Sequence, residues 1–318
     1  MDSYSDTMRI ATSLTDLVGH TPLLHLTRLA PPGPARVLAK LEFFNPAGSV
    51  KDRTALALIE AARADGRLPE RGTIIEASSG NTAIALAWIG ARLGHRVVIA
   101  MPDDVSLERR ALLRALGAQV VLTPGAEGMA GANGRAEEIL AATPGAFLAG
   151  QGGNPANPAV HEATTGPEIW DDTDGQVDAL VATTGTGGTI SGAGAYLKRR
   201  NPRVHVVGVE PAEAPVLSGG KWSPHKIQGI TGGDGVPPVT DLTVIDEIVT
   251  VPGDTAIDVA RQAMTTEGLL VGISAGAALA AAIDLAGRTE FAGRTIVAVL
   301  PDTGERYLST ELFAHARA

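Results

Sequence analysis

Short runs of aliphatic residues alternate with helical segments along most of this chain. The strand-like runs, such as GTIIEAS at 72–78 and RTIVAVLPD at 294–302, are rich in Val, Ile and Leu and lack polar alternation. This composition is typical of parallel strands that are covered on both faces. Consecutive parallel strands need crossover connections, which the intervening helices supply. We therefore predict an α/β fold with parallel-rich, twisted sheets wound with helices.

A stretch rich in Gly, Asn and Pro, AGQGGNPANPAV at 149–160, interrupts the alternation near the middle of the chain. Such residues mark turns and hinges. A length of 318 residues is sufficient for two lobes. Because ligands of open α/β folds bind outside the carboxyl ends of the strands, we predict two lobes with a binding cleft between them.

The composition excludes several classes of site and partner. The chain has no cysteine, which rules out disulfides, thiolate metal sites and a cysteine nucleophile. Its net charge of −9 argues against nucleic acid as a main partner, and its seven histidines include no pair with metal-ligand spacing. The N-terminal residues lack the features of a signal peptide, and no apolar run has the length of a membrane span. We expect a soluble, cytoplasmic protein without a metal.

The segment NPAGSVKDR at 45–53 contains a lysine close to the predicted start of a helix. Asn45-Pro46 indicates a turn, and Ser49 with Asp52 fits a capping box, so Lys51 would be the second helical residue. The unpaired N–H groups of a helix N-terminus disfavour an ammonium group. If it is also shielded from water, Lys51 would have a lowered pKa and would be a usable amine nucleophile. The alternative is a solvated surface lysine.

The sequence GTGGT at 185–189 follows a predicted strand and precedes a helix predicted to begin near Ser191. A glycine-rich turn in this position exposes successive backbone N–H groups, and the helix dipole favours an anion there. The loop is not a Walker motif, because no Lys-Ser/Thr pair follows it, and it lacks the spacing of the dinucleotide fingerprint. A phosphate cradle is therefore favoured over a turn that needs glycine for backbone reasons alone.

Two further strand-to-helix turns carry small polar residues. SSGNT at 78–82 is either a carboxylate-binding loop or an ordinary helix N-cap region, with a helix beginning near Thr82. Ser274, in the turn GIS at 272–274, is either an N-cap residue or a hydroxyl that faces a ligand. The segment LPDTGERYLS at 300–309 follows the last predicted strand and matches no motif with a physical rationale.

Together, and in this order, these segments resemble the cysteine synthase and cystathionine β-synthase family of enzymes, which use pyridoxal 5′-phosphate (PLP). Members of that family show motifs like NPAGSVKDR, SSGNT, GTGGT, a GIS turn and GERYLS. Three further segments are similar, namely NPANP at 154–158, TTGPEIWDDTDGQVD at 164–178 and PHKIQG at 224–229. The resemblance extends from about residue 13 to residue 312. It implies fold type II, the two-lobed PLP fold of the tryptophan synthase β-subunit.

The resemblance also implies a domain organisation and partners. A smaller, mobile α/β domain would comprise residues 46–156 and carry the substrate loop. A larger PLP-binding domain would comprise residues 13–45 and 157–318, preceded by an N-terminal arm at 1–12. Family resemblance further suggests a homodimer, and an active site that accepts the C-terminal tail of serine acetyltransferase.

Residues that match the family motifs acquire implied roles. Lys51 would hold PLP as an internal aldimine and serve as the general base. Asn81 would hydrogen-bond the phenolic O3′ of PLP, and Ser274 would face its pyridine nitrogen. The cofactor phosphate would bind the glycine-rich loop of Gly185, Thr186, Gly187, Gly188 and Thr189. The substrate carboxylate would be held by Ser78, Ser79, Thr82 and Gln151.

The implied activity is β-replacement on O-acetyl-L-serine. Lys51 would remove the α-proton, acetate would leave to give an α-aminoacrylate, and a nucleophile would add to the β-carbon. Sulfide would give L-cysteine, and a larger nucleophile would give a related β-substituted alanine. A neutral serine at the ring nitrogen makes the ring a weaker electron sink, which favours loss of the β-leaving group over transamination.

Alternatives remain within and outside this chemistry. Cystathionine β-synthase, which condenses serine with homocysteine, often shares an alanine at the position of Ala275. A serine or threonine dehydratase is disfavoured by the TTGPEIW and GERYLS context. A chain that acts mainly as a binding partner of serine acetyltransferase would not need Lys51.

Two glycines depart from the family pattern. Family members commonly have an aromatic residue directly after the glutamine that matches Gln151, whereas this chain has Gly152. They also commonly read GIGAGFVP where this chain reads GITGGDGVP at 229–237, which puts Gly235 in place of a phenylalanine. The sharper hypothesis is an acceptor pocket enlarged at Gly152 and Gly235, and the alternative is neutral drift with repacking.

Overall fold

The computed structural model of this protein describes residues 10–30, 35–233 and 235–317, so residues 1–9 of the predicted N-terminal arm lie outside the described residues. Its strands are β1 (Leu23–His25), β2 (Arg36–Leu41), β3 (Thr73–Ala77), β4 (Arg96–Pro102), β5 (Gln119–Thr123), β6 (Phe147–Leu148), β7 (Ala179–Thr183), β8 (His205–Pro211), β9 (Glu247–Val251) and β10 (Thr295–Leu300). Its α-helices are α1 (Lys51–Ala64), α2 (Asn81–Leu93), α3 (Leu107–Ala115), α4 (Gly128–Ala142), α5 (Ala156–Val160), α6 (Gly166–Asp172), α7 (Gly188–Arg200), α8 (Gly253–Glu267) and α9 (Ile273–Gly287).

The remaining helical segments are short. A π-helical turn at His161–Thr165 joins α5 to α6. Turns of 3₁₀ helix lie at Leu14–Leu17, Glu42–Phe44, Gly125–Glu127, Leu242–Val244, Thr289–Phe291, Gly304–Tyr307 and Glu311–Ala316. Within the described ranges, none of the helices combines the length and the apolar character that are needed to cross a bilayer.

The strands form two separate sheets. One sheet has six strands in the order β1-β2-β10-β7-β8-β9, and the other has four in the order β5-β4-β3-β6. All neighbouring strands run parallel except β1 and β2, which are antiparallel. Non-consecutive neighbours such as β2 and β10 require long crossovers, which the helices provide. The predicted α/β fold with parallel-rich sheets wound with helices is confirmed.

Helices cover both faces of each sheet, which explains why the strands read as continuous aliphatic runs. On the six-stranded sheet, Leu279 of α9 lies in the core of one face and Leu197 of α7 in that of the other. On the four-stranded sheet, Leu86 of α2 and Ala136 of α4 occupy the corresponding positions. All four side chains are essentially inaccessible to solvent.

The carboxyl ends of strands from both sheets border one cleft. Ser78 and Ser79 follow β3 of the four-stranded sheet, whereas Thr184 follows β7 and Asp302 follows β10 of the six-stranded sheet. Loops at this edge are free to carry ligand-binding groups, because the strands behind them are fixed by the core.

Candidate active site

The cleft has a volume of about 920 Å³ and is lined by residues from both sheets. Twelve of the fourteen predicted site residues line it: Lys51, Ser78, Ser79, Asn81, Thr82, Gln151, Gly152, Gly185, Thr186, Thr189, Gly235 and Ser274. The other two, Gly187 and Gly188, belong to the glycine-rich loop but do not line the cleft themselves. Residues distant in sequence therefore meet in one cavity large enough for a cofactor and a substrate.

Lys51 is the first residue of α1, one position earlier in the helix than the capping pattern predicted. The predicted capping box does not form. The backbone N–H of Lys51 donates to Ser49 Oγ over 3.3 Å, but the Asp52 carboxylate turns away to accept from Ala47 N at 2.6 Å and Trp88 Nε1 at 3.1 Å. Asp52 thus fixes the loop that precedes the lysine.

The environment of Lys51 favours a neutral amine. Its side chain is half-buried, and it lines the cleft. Desolvation by the surrounding protein lowers the pKa of Lys51, opposed by the negative charges of Asp302 and Glu42. A neutral amine at the start of a helix is the nucleophile that an aldehyde ligand requires.

The GTGGT loop connects β7 to α7, which begins at Gly188 rather than near Ser191. Gly187 has φ of +78°, a left-handed conformation, and a Cβ there would lie 2.2 Å from Thr240 Oγ1. A Cβ on Gly185 would lie 2.9 Å from the backbone oxygen of Gly229. Glycine is thus required at both positions, and the loop ends at a helix N-terminus that suits an anion such as phosphate.

Two buried side chains support this loop from behind. Asn157 Nδ2 donates to Thr186 Oγ1 and to the backbone oxygen of Gln151, each over 2.9 Å. His161 Nε2 lies 3.2 Å from Thr189 Oγ1, and its Nδ1 lies 2.8 Å from Thr165 Oγ1. Burial, with the nearby charge of Arg53, lowers the pKa of His161 to about 3, so its ring is neutral at physiological pH.

The SSGNT segment joins β3 to α2, and its residues contact neighbouring segments of the four-stranded sheet's end of the cleft. Thr82 Oγ1 donates to Gln151 Oε1 over 2.7 Å, which brings two predicted carboxylate-binding residues together. Ser78 is buried, and the backbone oxygen of Ser79 accepts from Arg109 Nη1 over 3.1 Å. The helix begins at Asn81 with Gly80 as its N-cap residue, so the hydroxyls of Ser78 and Ser79 do not serve as N-caps.

A buried carboxylate lies beneath this segment. Glu76, at the end of β3, accepts from Gly150 N over 2.7 Å and lines the cleft. Burial raises the pKa of Glu76 to about 7, opposed by the backbone N–H groups of Gly150 and Gln151. The charge of this group therefore changes near neutral pH.

Asn81 belongs to a polar network that the sequence patterns do not reveal. Its Nδ2 donates to Asp302 Oδ2 over 2.7 Å, and Arg306 Nη1 donates to its Oδ1. Tyr307 Oη donates to the same Asp302 oxygen over 2.6 Å. The network joins the SSGNT segment to the segment that follows β10, so GERYLS contributes directly to the cleft.

Ser274 is the second residue of α9, and Gly272 is the N-cap, so the serine does not cap the helix. Its side chain is 4% exposed and lines the cleft. Of its two sequence interpretations, a hydroxyl that faces a ligand is the one that agrees with this position.

Gly152, directly after Gln151, and Gly235 both line the cleft. A Cβ built on either glycine would contact no other residue within 4 Å in the described part of the chain. Gly235 has φ of +145°, which side chains disfavour. The position that a Cβ would occupy at Gly152 is therefore open.

The sequence assigned no role to several residues in or behind the cleft. Five of them line it, namely Glu76, Arg109, Asp302, Arg306 and Tyr307, and Asn157 lies behind the glycine-rich loop. One signal would have found some of them: Glu76 lies at the carboxyl end of β3, and Asp302 follows the carboxyl end of β10. Asn157 lies within the family-like segment NPANP, but no local pattern marks its contacts with Thr186 and Gln151. Arg109 reaches the cleft only through long-range folding.

The chain matches known proteins over nearly its whole length. Residues 14–302 match the family described as "Pyridoxal-phosphate dependent enzyme". The chain is 47% identical over 306 residues to cysteine synthase A of Escherichia coli (strain K12), covering 93% of this chain and 94% of that one.

Solved structures agree with this match. The cysteine synthase of Entamoeba histolytica has a TM-score of 0.94 at 41% identity, with 98% of this chain and 94% of that chain covered. An O-ureido-L-serine synthase has a TM-score of 0.92 at 46% identity, with 96% and 95% covered. The chain therefore belongs to the pyridoxal-phosphate-dependent enzymes of the cysteine synthase type, as the sequence motifs predicted.

Proposed function

We propose that this enzyme catalyses PLP-dependent β-replacement on O-acetyl-L-serine, forming L-cysteine with sulfide or a β-substituted alanine with a larger nucleophile. The observation that carries the proposal is the meeting, in one cleft, of Lys51, the GTGGT loop and the Thr82–Gln151 pair. Together they supply an amine, an anion cradle and a second polar site within one cleft. Similarity to cysteine synthases supports the same reaction.

The residues of the cleft fit PLP. The tight glycine loop at the N-terminus of α7 would hold the phosphate, and Lys51 would bind the aldehyde carbon. The amide of Asn81 would donate to the phenolic oxygen, and Ser274 would face the ring nitrogen. Bound PLP would supply an electron-withdrawing ring that acidifies the Cα proton of the amino acid.

The chain's own groups would then direct the proton and the substrate. Nζ of Lys51 would take the Cα proton, because desolvation lowers its pKa and so favours the neutral amine that can accept a proton. Ser78, Ser79, Thr82 and Gln151 would hold the substrate carboxylate, with the Thr82–Gln151 hydrogen bond fixing the glutamine side chain. A neutral hydroxyl at Ser274 would leave the ring nitrogen unprotonated and so favour departure of the acetate group.

We infer that the unit at 46–156 moves against the rest of the chain during catalysis, with residues 13–45 and 157–318 as the larger domain. Closure over the substrate carboxylate would exclude water from the reacting atoms. The glycine-rich stretch at 150–153, where the chain leaves the four-stranded sheet, supports a hinge at this boundary.

We infer an acceptor larger than sulfide. A Cβ on Gly152 or on Gly235 would meet no described residue within 4 Å, so no neighbouring side chain fills either position. The similar O-ureido-L-serine synthase is named for a product whose β-substituent is larger than a sulfhydryl group, which supports a roomy acceptor site in this branch. Cystathionine β-synthase-like condensation of serine with homocysteine is the second candidate, because the same open space would accommodate homocysteine.

Two measurements test these functions. Purified holoenzyme incubated with O-acetyl-L-serine is expected to release acetate faster than the substrate hydrolyses spontaneously. Acetate release at no more than the spontaneous rate would refute the reaction. The holoenzyme is also incubated with serine and homocysteine as the sole substrates. Cystathionine formation that is faster than acetate release from O-acetyl-L-serine would support the second candidate.

A comparison of kcat/KM for sulfide, larger thiols, azoles and hydroxylamine-type nucleophiles tests the acceptor. We expect a preference for a larger nucleophile, and a shift towards sulfide of about tenfold or more in Gly152→Phe. Gly287→Phe is the control, because Gly287 lies at the end of α9 and a Cβ there meets nothing within 4 Å. Strong preference for sulfide that Gly152→Phe leaves unaltered would contradict an enlarged pocket.

We further infer a cytoplasmic homodimer whose cleft accepts the C-terminal tail of serine acetyltransferase. The family resemblance supports each of these inferences. Light scattering tests the dimer, and competition between a tail peptide and O-acetyl-L-serine for the holoenzyme tests the partner. A monomer, or a peptide that leaves the KM for O-acetyl-L-serine unchanged, would contradict the respective inference.

A further inference from the structure

Asp302 is a buried carboxylate with one oxygen satisfied and one free. It lies just beyond the end of β10, after Pro301, and it is 1% exposed. Oδ2 accepts from Asn81 Nδ2 at 2.7 Å and from Tyr307 Oη at 2.6 Å. Oδ1 is equally buried but has no hydrogen-bond partner among the described residues. An unpaired buried carboxylate oxygen is costly, so a ligand or a moving side chain is expected to face it.

The contacts of Asp302 determine how the Asn81 amide is oriented. An ionised carboxylate only accepts hydrogen bonds, so it must face the amide nitrogen, whereas the Arg306 guanidinium only donates and must face the amide oxygen. With its oxygen and one of its two N–H groups engaged, Asn81 has one N–H left to direct into the cleft. Arg306 also donates to the backbone oxygen of Ala47, in the loop before Lys51.

The backbone holds Asp302 close to Lys51. Val50 N donates to the backbone oxygen of Pro301 over 2.8 Å, and Ser49 pairs with Asp302 in an isolated β-bridge. Lys51 and Asp302 both line the cleft. A Cβ on Gly272, the residue before α9, would lie 2.2 Å from Asp302 Oδ1, so the glycine leaves room for the carboxylate.

Several charged and titratable groups surround this pair. Arg306 and Tyr307 adjoin Asp302 from the segment that follows β10, and Arg109 of α3 acts on it across the cleft. Glu42 adds negative charge near Lys51. Burial raises the pKa of Asp302, opposed by its hydrogen bonds from Tyr307 and Asn81 and by the charges of Arg306 and Arg109. Asp52 of α1 completes the set through its action on Arg306.

We propose that Asp302 is a positioning residue that orients Asn81 through Oδ2 and stabilises the protonated amine of Lys51 through its negative charge. This inference rests on the proposed function, in which Lys51 Nζ takes the Cα proton of the substrate. The proton moves from Cα to Nζ, is held there while acetate leaves and the nucleophile adds, and returns to Cα before product release, with Asp302 acting in its ionised form. Its negative charge lowers the energy of the ammonium group formed in that step.

Two substitutions separate the two roles. Asp302→Asn removes the charge but keeps an oxygen that can accept from Asn81 and Tyr307. Asp302→Ala removes the acceptor as well. Asp178→Asn is the matched control, because Asp178 makes the same kind of carboxylate contacts, to Arg294 and Thr295 N, at the amino-terminal end of β10 and β7, opposite the cleft.

The readouts are the Kd of the cofactor, the pH at which its visible absorption band titrates, and the separate kcat and KM for O-acetyl-L-serine. In Asp302→Asn we expect the titration midpoint to fall by about one pH unit and kcat to fall by about tenfold or more, with Kd and KM within about threefold. In Asp302→Ala we expect the Kd to rise by about tenfold as well. The control is expected to differ from the native enzyme by less than about twofold in each readout.

An unchanged titration midpoint and kcat in Asp302→Asn would overturn the proposal. If Asp302→Ala does not fold, Asp302→Asn alone decides the electrostatic role. The Kd and the titration do not depend on turnover. Absence of acetate release by the native enzyme would therefore refute the proposed function, while a shifted midpoint would still support the electrostatic effect of Asp302 on Lys51.

Discussion

Asn157 donates to the hydroxyl of Thr186 over 2.9 Å, and with the same nitrogen it donates to the backbone oxygen of Gln151 over the same distance. The residue is buried at 1% exposure, and its Oδ1 also accepts from Thr54 Oγ1 over 3.2 Å. One amide thereby joins the anion loop, the proposed substrate-binding glutamine and the helix that carries Lys51. Binding of the cofactor phosphate and of the substrate carboxylate is expected to be coupled through it.

Replacing Asn157 with Ala is expected to weaken both proposed binding sites together. Loss of two donors leaves buried acceptors unpaired, at a cost of about 1–3 kcal/mol. The Kd of the cofactor and the KM of O-acetyl-L-serine should each rise by about tenfold. Fluorescence titration and steady-state kinetics measure them. Asn201→Ala, at the far end of α7, is the control, and a change in only one of the two constants would contradict the coupling.

Replacing Lys51 with Ala is expected to abolish β-replacement while the fold is retained. Removal of the proton acceptor should lower kcat for acetate release by at least about a hundredfold. The GTGGT loop should still bind the cofactor non-covalently, so yellow colour is not the test. Lys226→Ala, which removes a surface lysine paired with Asp254 and Glu311, serves as the control. Native-rate turnover by Lys51→Ala would show that another group removes the proton.

Replacing Ser274 with Asp is expected to change the reaction rather than the fold. A carboxylate facing the ring nitrogen would hold a proton there, make the ring a stronger electron sink and slow loss of the leaving group. We expect an altered visible spectrum of the bound cofactor and a fall in kcat of about tenfold or more. Ser274→Ala controls for loss of the hydroxyl. Rates and spectra equal to those of the native enzyme would mean that the residue does not face the ring.

Replacing Glu76 with Gln is expected to alter how stability depends on pH. The pKa of Glu76 is raised by burial from 4.5 to about 7, so the folded protein binds its proton more tightly than the unfolded chain does. This group's contribution is present below pH 4.5 and is lost as the pH rises through about 7. Glu76→Gln should therefore gain in Tm relative to the native protein between pH 5 and pH 8. A Tm difference that does not change with pH would contradict the raised pKa.

Local patterns were sufficient for much of the fold and for the selection of residues that mostly line one cleft. Uninterrupted aliphatic strands predict covered parallel sheets, and glycine-rich turns after strands predict helix N-termini that face a ligand, because both features depend on neighbours in sequence. The prediction of a capping box at Ser49 and Asp52 was wrong, in part because of a residue that is distant in the sequence. Asp52 instead accepts from Trp88, which lies in another helix. Tertiary hydrogen bonding outweighed a local preference there.

The polar network around Asn81 could not be predicted in the same way. Asn81 and Asp302 are 221 residues apart in sequence and meet only because β3 and β10 end at the same cleft. Their pairing depends on the relative position of two sheets, which no local spacing encodes. Arg306 likewise contacts Ala47 across the same junction. Such residues become visible only when the carboxyl ends of all strands are considered together.

The central claim is that Lys51 carries the cofactor. The protein has five lysines, at 40, 51, 198, 221 and 226. Holoenzyme reduced with borohydride, digested and analysed by mass spectrometry reports which of them bears the cofactor. We predict that the reduced cofactor adds its mass to the peptide containing Lys51 and that Lys51→Ala carries no adduct. Attachment to any other lysine, with Lys51 unmodified in the native protein, would contradict the account.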